Sequence, residues 1–376
     1  DYDDADWDKI VSTLSYDDMV TYITDTQAAL ESIGKPKTVS RDGSLGWGGS
    51  SSDVYEASGL QVDQWPSKET VAATFSTEIN EGIGKLCGEA MLHSSTMEVK
   101  NTSLLGWSCN AHRSPYSGRN LEYFSEDPYL GGRSCAEETR GVGEKGGLVY
   151  VKHVAGNDQE EFRHGSTTWM NEQTMREIYL RQFEIPVKEA TCEIKYISDE
   201  QGTISTKKMN ACTAAMSSFN FVGTEWSGGR KSLCTNVLRD EWGFRGCVIT
   251  DFNLYGYMDK NAALAGGTDL QLTYSAMTPA FEGTNTATVV SQLRESMHHA
   301  LYTIANSNAM QGMAPGSKVN YGIAPWQMGV WGGSAALVAL AGFFGYRAYK
   351  ARRTLNEQKA AGTDAPAEAK DEAPVE

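Results

Sequence analysis

Positive charge is the first shortage in this sequence. Its 376 residues carry 33 Lys and Arg against 48 Asp and Glu, a formal charge of −15 at pH 7, with a pI of about 4.9. A phosphate backbone is repelled by such a surface, and no basic stripe offsets it, so no nucleic-acid partner is expected. Neutral substrates such as sugars stay open. The seven cysteines (Cys87, Cys109, Cys135, Cys192, Cys212, Cys234 and Cys247) show no CxxC and no Cys/His ligand spacing. An odd, scattered set of this kind describes neither a metal site nor a disulfide framework, and most read as buried hydrophobes. The sequence also lacks HExxH and a GxSxG elbow, and no GxGxxG or GxxxxGK[ST] phosphate loop follows any candidate strand. Metallohydrolase, serine-hydrolase and nucleotide-binding readings therefore fall away, and neither metal nor cofactor is expected. At Asp1 there is no initiator Met, basic n-region or apolar h-region, which predicts a processed chain or a piece of a longer one.

What is present begins with a globular balance: 40% hydrophobic and 22% charged residues, enough apolar material for a large core. One stretch stands apart. From Val319 to Tyr346 there is no charged residue, and residues 327–346 match the roughly 20 apolar residues that span a bilayer. Trp326 and Trp331 flank one side, Tyr346 and Tyr349 the other, and Arg347, Lys350, Arg352 and Arg353 follow at once. Aromatic belts and the positive-inside rule predict a single-pass helix with a cytoplasmic C-terminus and an extracytoplasmic main domain. The expected organisation is a domain over 1–315, a linker over 316–326, a transmembrane helix over 327–346 and a disordered cytoplasmic tail over 347–376.

Within the main domain, hydrophobic periodicity predicts helix over 3–33, and again near 76–93 with Ile79, Ile83, Leu86 and Met91 inward. A Gly/Ser-rich loop lies between them, at 41–52. Strands are predicted at 148–154, 210–219 and 247–250, and helices near 171–189, 231–242, 257–265 and 286–306. Alternation of strand and helix over about 300 residues predicts a parallel α/β domain whose length suits a (β/α)8 TIM-like barrel. Periodicity by itself does not separate that barrel from an open doubly wound sheet.

Several predicted strands end in polar groups: Lys152 and His153, Asp251, the Asn110–Arg113 run, and Asp42 in the first glycine loop. Taken singly, a strand-terminal Asp is most often a helix cap. Together, at the ends where barrel enzymes place their chemistry, they predict a polar pocket. A carboxylate, cationic donors and nearby indoles (Trp47, Trp107, Trp169, Trp226) suit carbohydrate, whose hydroxyls need directional partners while its C–H faces stack on rings. An aspartate at the floor could attack an anomeric carbon.

Four segments carry a resemblance. Gly118-Arg-Asn-Leu-Glu-Tyr-Phe-Ser-Glu-Asp-Pro-Tyr-Leu130, Lys152-His-Val-Ala-Gly-Asn-Asp-Gln-Glu160, Met216-Ser-Ser-Phe-Asn220 and Leu238-Arg-Asp-Glu-Trp-Gly-Phe-Arg-Gly-Cys-Val-Ile-Thr-Asp251 closely resemble, in order and spacing, the signatures of glycoside hydrolase family 3, the β-glucosidase family. The likeness runs from about residue 8 to 310 and implies a (β/α)8-like barrel with a retaining mechanism. By motif it implies Asp251 as nucleophile and Asp42 as a ligand of sugar hydroxyls. It likewise implies Arg113, Lys152, His153 and Arg163 as donors around the glycone, with Met216 lining the same subsite. Phe219 stands where the family usually has Tyr, and Ser44 where its loop has Pro. A polar insertion near Glu193–Lys208 predicts a hairpin facing partners. Trp169 and Trp226 are open between stacking a second sugar and a structural role.

In this family the acid/base carboxylate usually comes from a second, α/β sandwich domain. Members with the sandwich first, the barrel second and a C-terminal membrane helix last resemble this chain, which implies an upstream domain that supplies the acid. His164, Glu160, Glu161 and Glu225 are alternatives within the loops, none promoted by its context. The expected function is hydrolysis of β-glucosides or short oligosaccharides; a non-hydrolytic surface carbohydrate-binding protein is the alternative.

Overall fold

The structure is a computed structural model that describes residues 1–48, 64–95, 100–199, 201–273, 285–310, 323 and 325–362. It divides into two compact units, Asp1–Ser317 and Lys318–Glu376.

The strands of the first unit are, in chain order, β1 (Thr38–Asp42), β2 (Lys100–Leu105), β3 (Leu148–Val154), β4 (Thr167–Thr168), β5 (Thr191–Ile197), β6 (Ile204–Asn210), β7 (Ala214–Ser217), β8 (Phe221–Val222), β9 (Glu225–Trp226) and β10 (Cys247–Ile249). The principal sheet runs β1-β2-β3-β7-β10, and every pairing in it is parallel. A doubly wound sheet reverses its strand order at a switch point. Here spatial order follows chain order throughout, as winding in one direction around a barrel requires. Among the described residues five strands, not eight, are paired in this sheet. A parallel bridge from Ile249 to Leu270 extends it, and Gln271 N–H donates to Ile23 O at 2.8 Å.

Side-chain parity builds the two faces. Tyr150, Ala214, Met216, Cys247 and Ile249 enter one buried cluster with Met19, Ile23 and Leu293. Their neighbours Val149, Val151, Ala215 and Val248 enter another, with Ile83, Cys87, Met91 and Phe183 from the surrounding helices. Such double-sided burial is what a parallel sheet covered by helices needs, and the whole of β3 is buried. All seven cysteines are free and buried.

The helices largely match expectation, with instructive departures. The N-terminal segment is two helices, Asp6–Ser12 and Tyr16–Thr24, because Ser15 and Asp18 form a reciprocal capping box that starts a new one. Helix Thr77–Ser94 turns two of the four expected residues inward, Ile83 and Met91, and leaves Ile79 47% and Leu86 63% exposed, while Asn80, Gly84, Cys87 and Gly88 are buried beside them. Close approach selects that small-residue face. A Cβ on Gly84 would lie 2.1 Å from Glu138 O, and one on Gly141 would lie 2.3 Å from Glu81 O, in the facing helix Pro128–Glu144. Asp127, from the Ser-Glu-Asp-Pro run, caps that facing helix through Leu130 N–H at 2.7 Å, with Pro128 in its first turn.

Two buried charge clusters fasten the layers. Lys68 Nζ donates to Glu138 at 2.6 Å, both side chains fully buried, and lies 3.8 Å from the Trp107 ring centroid. Asp269 accepts from Arg239 at 2.6 Å and contacts His299 Nδ1 at 2.7 Å, which ties helix Ala287–Ala305 to the sheet. The expected insertion is an antiparallel hairpin, β5 with β6.

In the second unit one helix covers Pro325–Ala360, the single helix among the described residues that is long and apolar enough to cross a membrane. It continues 14 residues beyond the expected end at 346, where a disordered tail was predicted. Residues 347–360 are rich in Ala, Arg and Lys, strong helix formers, and Arg353 pairs with Glu357 at 2.8 Å. Residues 363–376 lie outside the described residues.

Candidate active site

The inward parity of the strands runs through their carboxyl-terminal halves and, after β10, beyond the strand. Two residues beyond Tyr150 is Lys152, and two beyond Ile249 is Asp251. These, with Asp42 at the end of β1 and Met216 in β7, line one cavity of about 540 Å³, within the range of small-molecule sites. His153, Arg163, Phe219 and Arg119 also line it. Of the eight residues expected around a sugar, seven meet here. Arg113 does not: its guanidinium donates to Gln159 at 3.0 Å and lines a separate cavity.

The cation that sequence reasoning missed is Arg119, six residues on in the Gly118-Arg motif. Its Nε and Nη2 clasp Glu122 at 3.1 and 2.8 Å. Its Nη1 lies 3.2 Å from His153 Nε2. The signal was in the motif itself, where Arg119 and Glu122 stand three apart on one turn.

His153 is neutral: burial first, then the charges of Arg119, Lys152 and Arg163, hold its pKa well below the ordinary value. Arginine only donates, so His153 Nε2 accepts from it, which puts the ring proton on Nδ1, 3.4 Å from Asn110 Oδ1. Asn110 Oδ1 also receives the His153 N–H at 2.9 Å. The 3.5 Å approach of His153 Nε2 to Asp251 Oδ2 is therefore not an ion pair.

Asp251 is the exceptional carboxylate. Its Oδ1 accepts the Phe252 N–H at 2.8 Å, while Oδ2 is buried without a partner. Burial raises its pKa, opposed by Lys152, the Phe252 N–H, Arg163 and Arg119. The other carboxylates are committed. Asp42 receives Lys152 Nζ at 3.0 Å. Burial works against the charge of Glu122, yet the Arg119 guanidinium, Lys152 and Ser44 hold its carboxyl below the usual range. Glu160 pairs with Arg163 at 2.6 Å. One unpartnered carboxylate oxygen among converging donors can act as a nucleophile; a second carboxylate free to act as acid is not found among the described lining residues.

The indoles do not line this cavity. Trp47, Trp107 and Trp226 are buried, their bulk used for packing, and Trp226 Nε1 donates to Ser218 O at 2.8 Å. Trp169 is exposed at other cavities. The aromatic walls are Phe219, Phe252 and Tyr255. The Arg163 guanidinium lies 4.2 Å from the Phe219 ring centroid, a cation–π contact. His164 stacks on Tyr255 with centroids 4.9 Å apart.

A singly wound parallel α/β domain with a polar, carboxylate-floored cavity at its strand ends defines the class: a barrel-type domain of the kind that binds and acts on small polar molecules. Comparison supplies the family. The sequence profile of the glycosyl hydrolase family 3 N terminal domain matches residues 60–303, so the chain belongs to glycosyl hydrolase family 3. It is 30% identical over 246 residues to Beta-glucosidase A of Butyrivibrio fibrisolvens, covering 65% of this chain and 25% of that protein. It is 31% identical over 247 residues to Thermostable beta-glucosidase B of Acetivibrio thermocellus, covering 65% and 29%. Among solved structures, a beta-glucosidase from Paenibacillus barengoltzii superposes with a TM-score of 0.68 at 26% identity, covering 84% of this chain and 34% of that one. Beta-glucosidase 3B from Thermotoga neapolitana, in complex with glycerol, gives 0.63 at 26%, covering 80% and 43%. The chain thus spans about a quarter to two fifths of the length of these relatives.

Proposed function

We propose that this chain carries the nucleophile and glycone site of a retaining β-glycosidase that hydrolyses β-glucosides or short β-linked oligosaccharides. The observation that carries this reading is Asp251 Oδ2, a buried carboxylate oxygen with no partner in a cavity shared with Asp42, Arg119, Lys152 and Arg163. A retaining mechanism needs a carboxylate beneath the sugar ring that bonds to the anomeric carbon and is later displaced by water. In this reading Lys152 and Asp42 grip hydroxyls and Arg119 orients His153. Fixed donors of this kind hold the ring while the oxocarbenium-like state forms. The (β/α)8 closure implied by the family belongs to the same reading.

The general acid comes from outside this cavity, because Glu122 and Glu160 are each held by arginine; a second, sandwich-type domain is the source the family resemblance implies. Helix Pro325–Ala360 crosses a membrane with its Arg/Lys-rich end in the cytoplasm and the barrel outside, supported by its uncharged run and aromatic flanks.

The test uses 2,4-dinitrophenyl β-glucoside, whose leaving group departs without protonation. The expected result is a dinitrophenolate burst, turnover accelerated by azide, and loss of both in Asp251→Ala. Sugar binding with no burst in the wild-type chain would favour a non-hydrolytic carbohydrate-binding protein instead.

A further inference from the structure

Trp169 is 71% exposed, and it is not isolated on a convex surface. It lines a cavity of about 520 Å³ with Arg113, Asp158, Thr167, Tyr179 and Asn220. That cavity shares no lining residue with the one built around Asp251. The successive residues Phe219 and Asn220 line one each.

The second cavity is polar, and its polar groups are only partly used. Asn220 spends its Nδ2 on Ala155 O at 3.1 Å and Thr168 Oγ1 at 3.2 Å, while its buried Oδ1 has no donor. Asp158 Oδ1 accepts the Ala111 N–H at 2.9 Å, and burial pushes its carboxyl up to about 7. Arg113 is exposed and, among the described contacts, engages only Gln159. The lining holds a single carboxyl and a single guanidinium, so it carries no more than one net positive charge. The chain as a whole, at −15, repels anions. A flat indole beside hydroxyl, amide, carboxyl and guanidinium groups matches a neutral pyranose, which offers a C–H face to the ring and hydroxyls to the polar wall. On the other side of Trp169 a third cavity of about 510 Å³ contains Glu172, Arg176 and Glu241. There Arg176 is already paired with both Glu172 and Glu241, at 2.9 and 2.6 Å, which makes that side the poorer host.

We infer that Trp169, Arg113, Asp158 and Asn220 form a second binding site for a neutral β-linked oligosaccharide, separate from the cavity of Asp251. It goes beyond the proposed hydrolysis and requires no step of it. Its consequence is to hold a glycan at the barrel mouth while a different chain end occupies the first cavity.

The test titrates cellotetraose into the full-length chain in detergent, by calorimetry, with the first cavity saturated by 1-deoxynojirimycin. The blocked wild type is expected to bind cellotetraose still. Trp169→Ala should weaken that binding by roughly ten-fold, the scale of one lost ring-stacking contact. Trp169→Phe should recover part of it, and Arg113→Ala should weaken it without touching the ring. Binding of 1-deoxynojirimycin and hydrolysis of a small aryl glucoside should be unchanged in all three variants. Loss of cellotetraose binding on blocking, or equal affinity in wild type and Trp169→Ala, overturns the inference. If 1-deoxynojirimycin itself fails to bind, the reading of the first cavity fails; the unblocked titration then reports on Trp169 directly, by the same comparison of variants.

Discussion

At the scale of single residues, the site turns on how one carboxylate is kept reactive. A buried aspartate costs free energy when ionised, and Asp251 is buried with one oxygen bare. Lys152 is the largest charge that offsets this, ahead of Arg163 and Arg119. In the proposed reaction the ionised form attacks, so activity is expected to be lost as pH falls through the pKa of Asp251, which burial raises above the usual carboxylate value. With the dinitrophenyl substrate no acid is needed, so the acid limb of the kcat/KM profile should report Asp251. In Lys152→Met that limb should move upward by about one pH unit or more, the size of effect one adjacent opposite charge exerts. A limb that stays in place would show that Lys152 does not set the ionisation of Asp251. Neutral His153 does not contribute such a charge; its part is geometric, with Nε2 accepting from Arg119 and Nδ1 facing Asn110.

At the scale of elements, the helix pair Thr77–Ser94 and Pro128–Glu144 shows how glycine positions decide packing. Gly84 lies against Glu138, the residue that receives Lys68. In Gly84→Ala the new Cβ would meet the Glu138 carbonyl at 2.1 Å, and backbone cannot swing aside as a side chain does. The gain in helix propensity is outweighed, and a net loss of about 1–3 kcal/mol is expected. Gly82, two residues away on the same helix, has nothing within 4 Å of its Cβ position. Gly82→Ala should therefore stabilise by roughly 0.5–1 kcal/mol. Denaturant unfolding of the two variants side by side checks the sign of each; destabilisation by both would mean that the helix pair is not packed this way. The same elements show why amphipathic reading went astray. Ile83 and Met91 pack inward as the stripe predicts, but the contact with the facing helix is built from small residues that let two backbones meet, so Ile79 and Leu86 face outward.

At the scale of the whole molecule, the chain is a catalytic-type domain followed by a separate apolar helix, two units by contact. Deletion of residues 318–376 is expected to move the protein from the carbonate-washed membrane fraction to the soluble fraction. The Asp251-dependent burst should survive the deletion, because no residue lining that cavity comes from the second unit. Retention in membranes after deletion would place the anchor in the barrel unit.

Much of this was legible before any coordinates. Parallel α/β alternation, the uncharged run and four motifs ending in Asp251 are local signals. They depend on side-chain period and spacing along the chain. Lys152 and Asp251 could be placed together because parity and strand ends determine which side chains point into a barrel mouth. The tertiary structure alone decided that Arg119 rather than Arg113 enters the cavity. It also decided that Trp226 is buried while Trp169 is bare, and that Gly84 and Gly88 rather than Ile79 and Leu86 join Ile83 and Met91 on the inward face. Each of these depends on which other stretch of backbone comes close, and periodicity carries no information about that. Whether a guanidinium, an indole or a missing Cβ meets solvent, a carboxylate or another helix is settled only when the layers close.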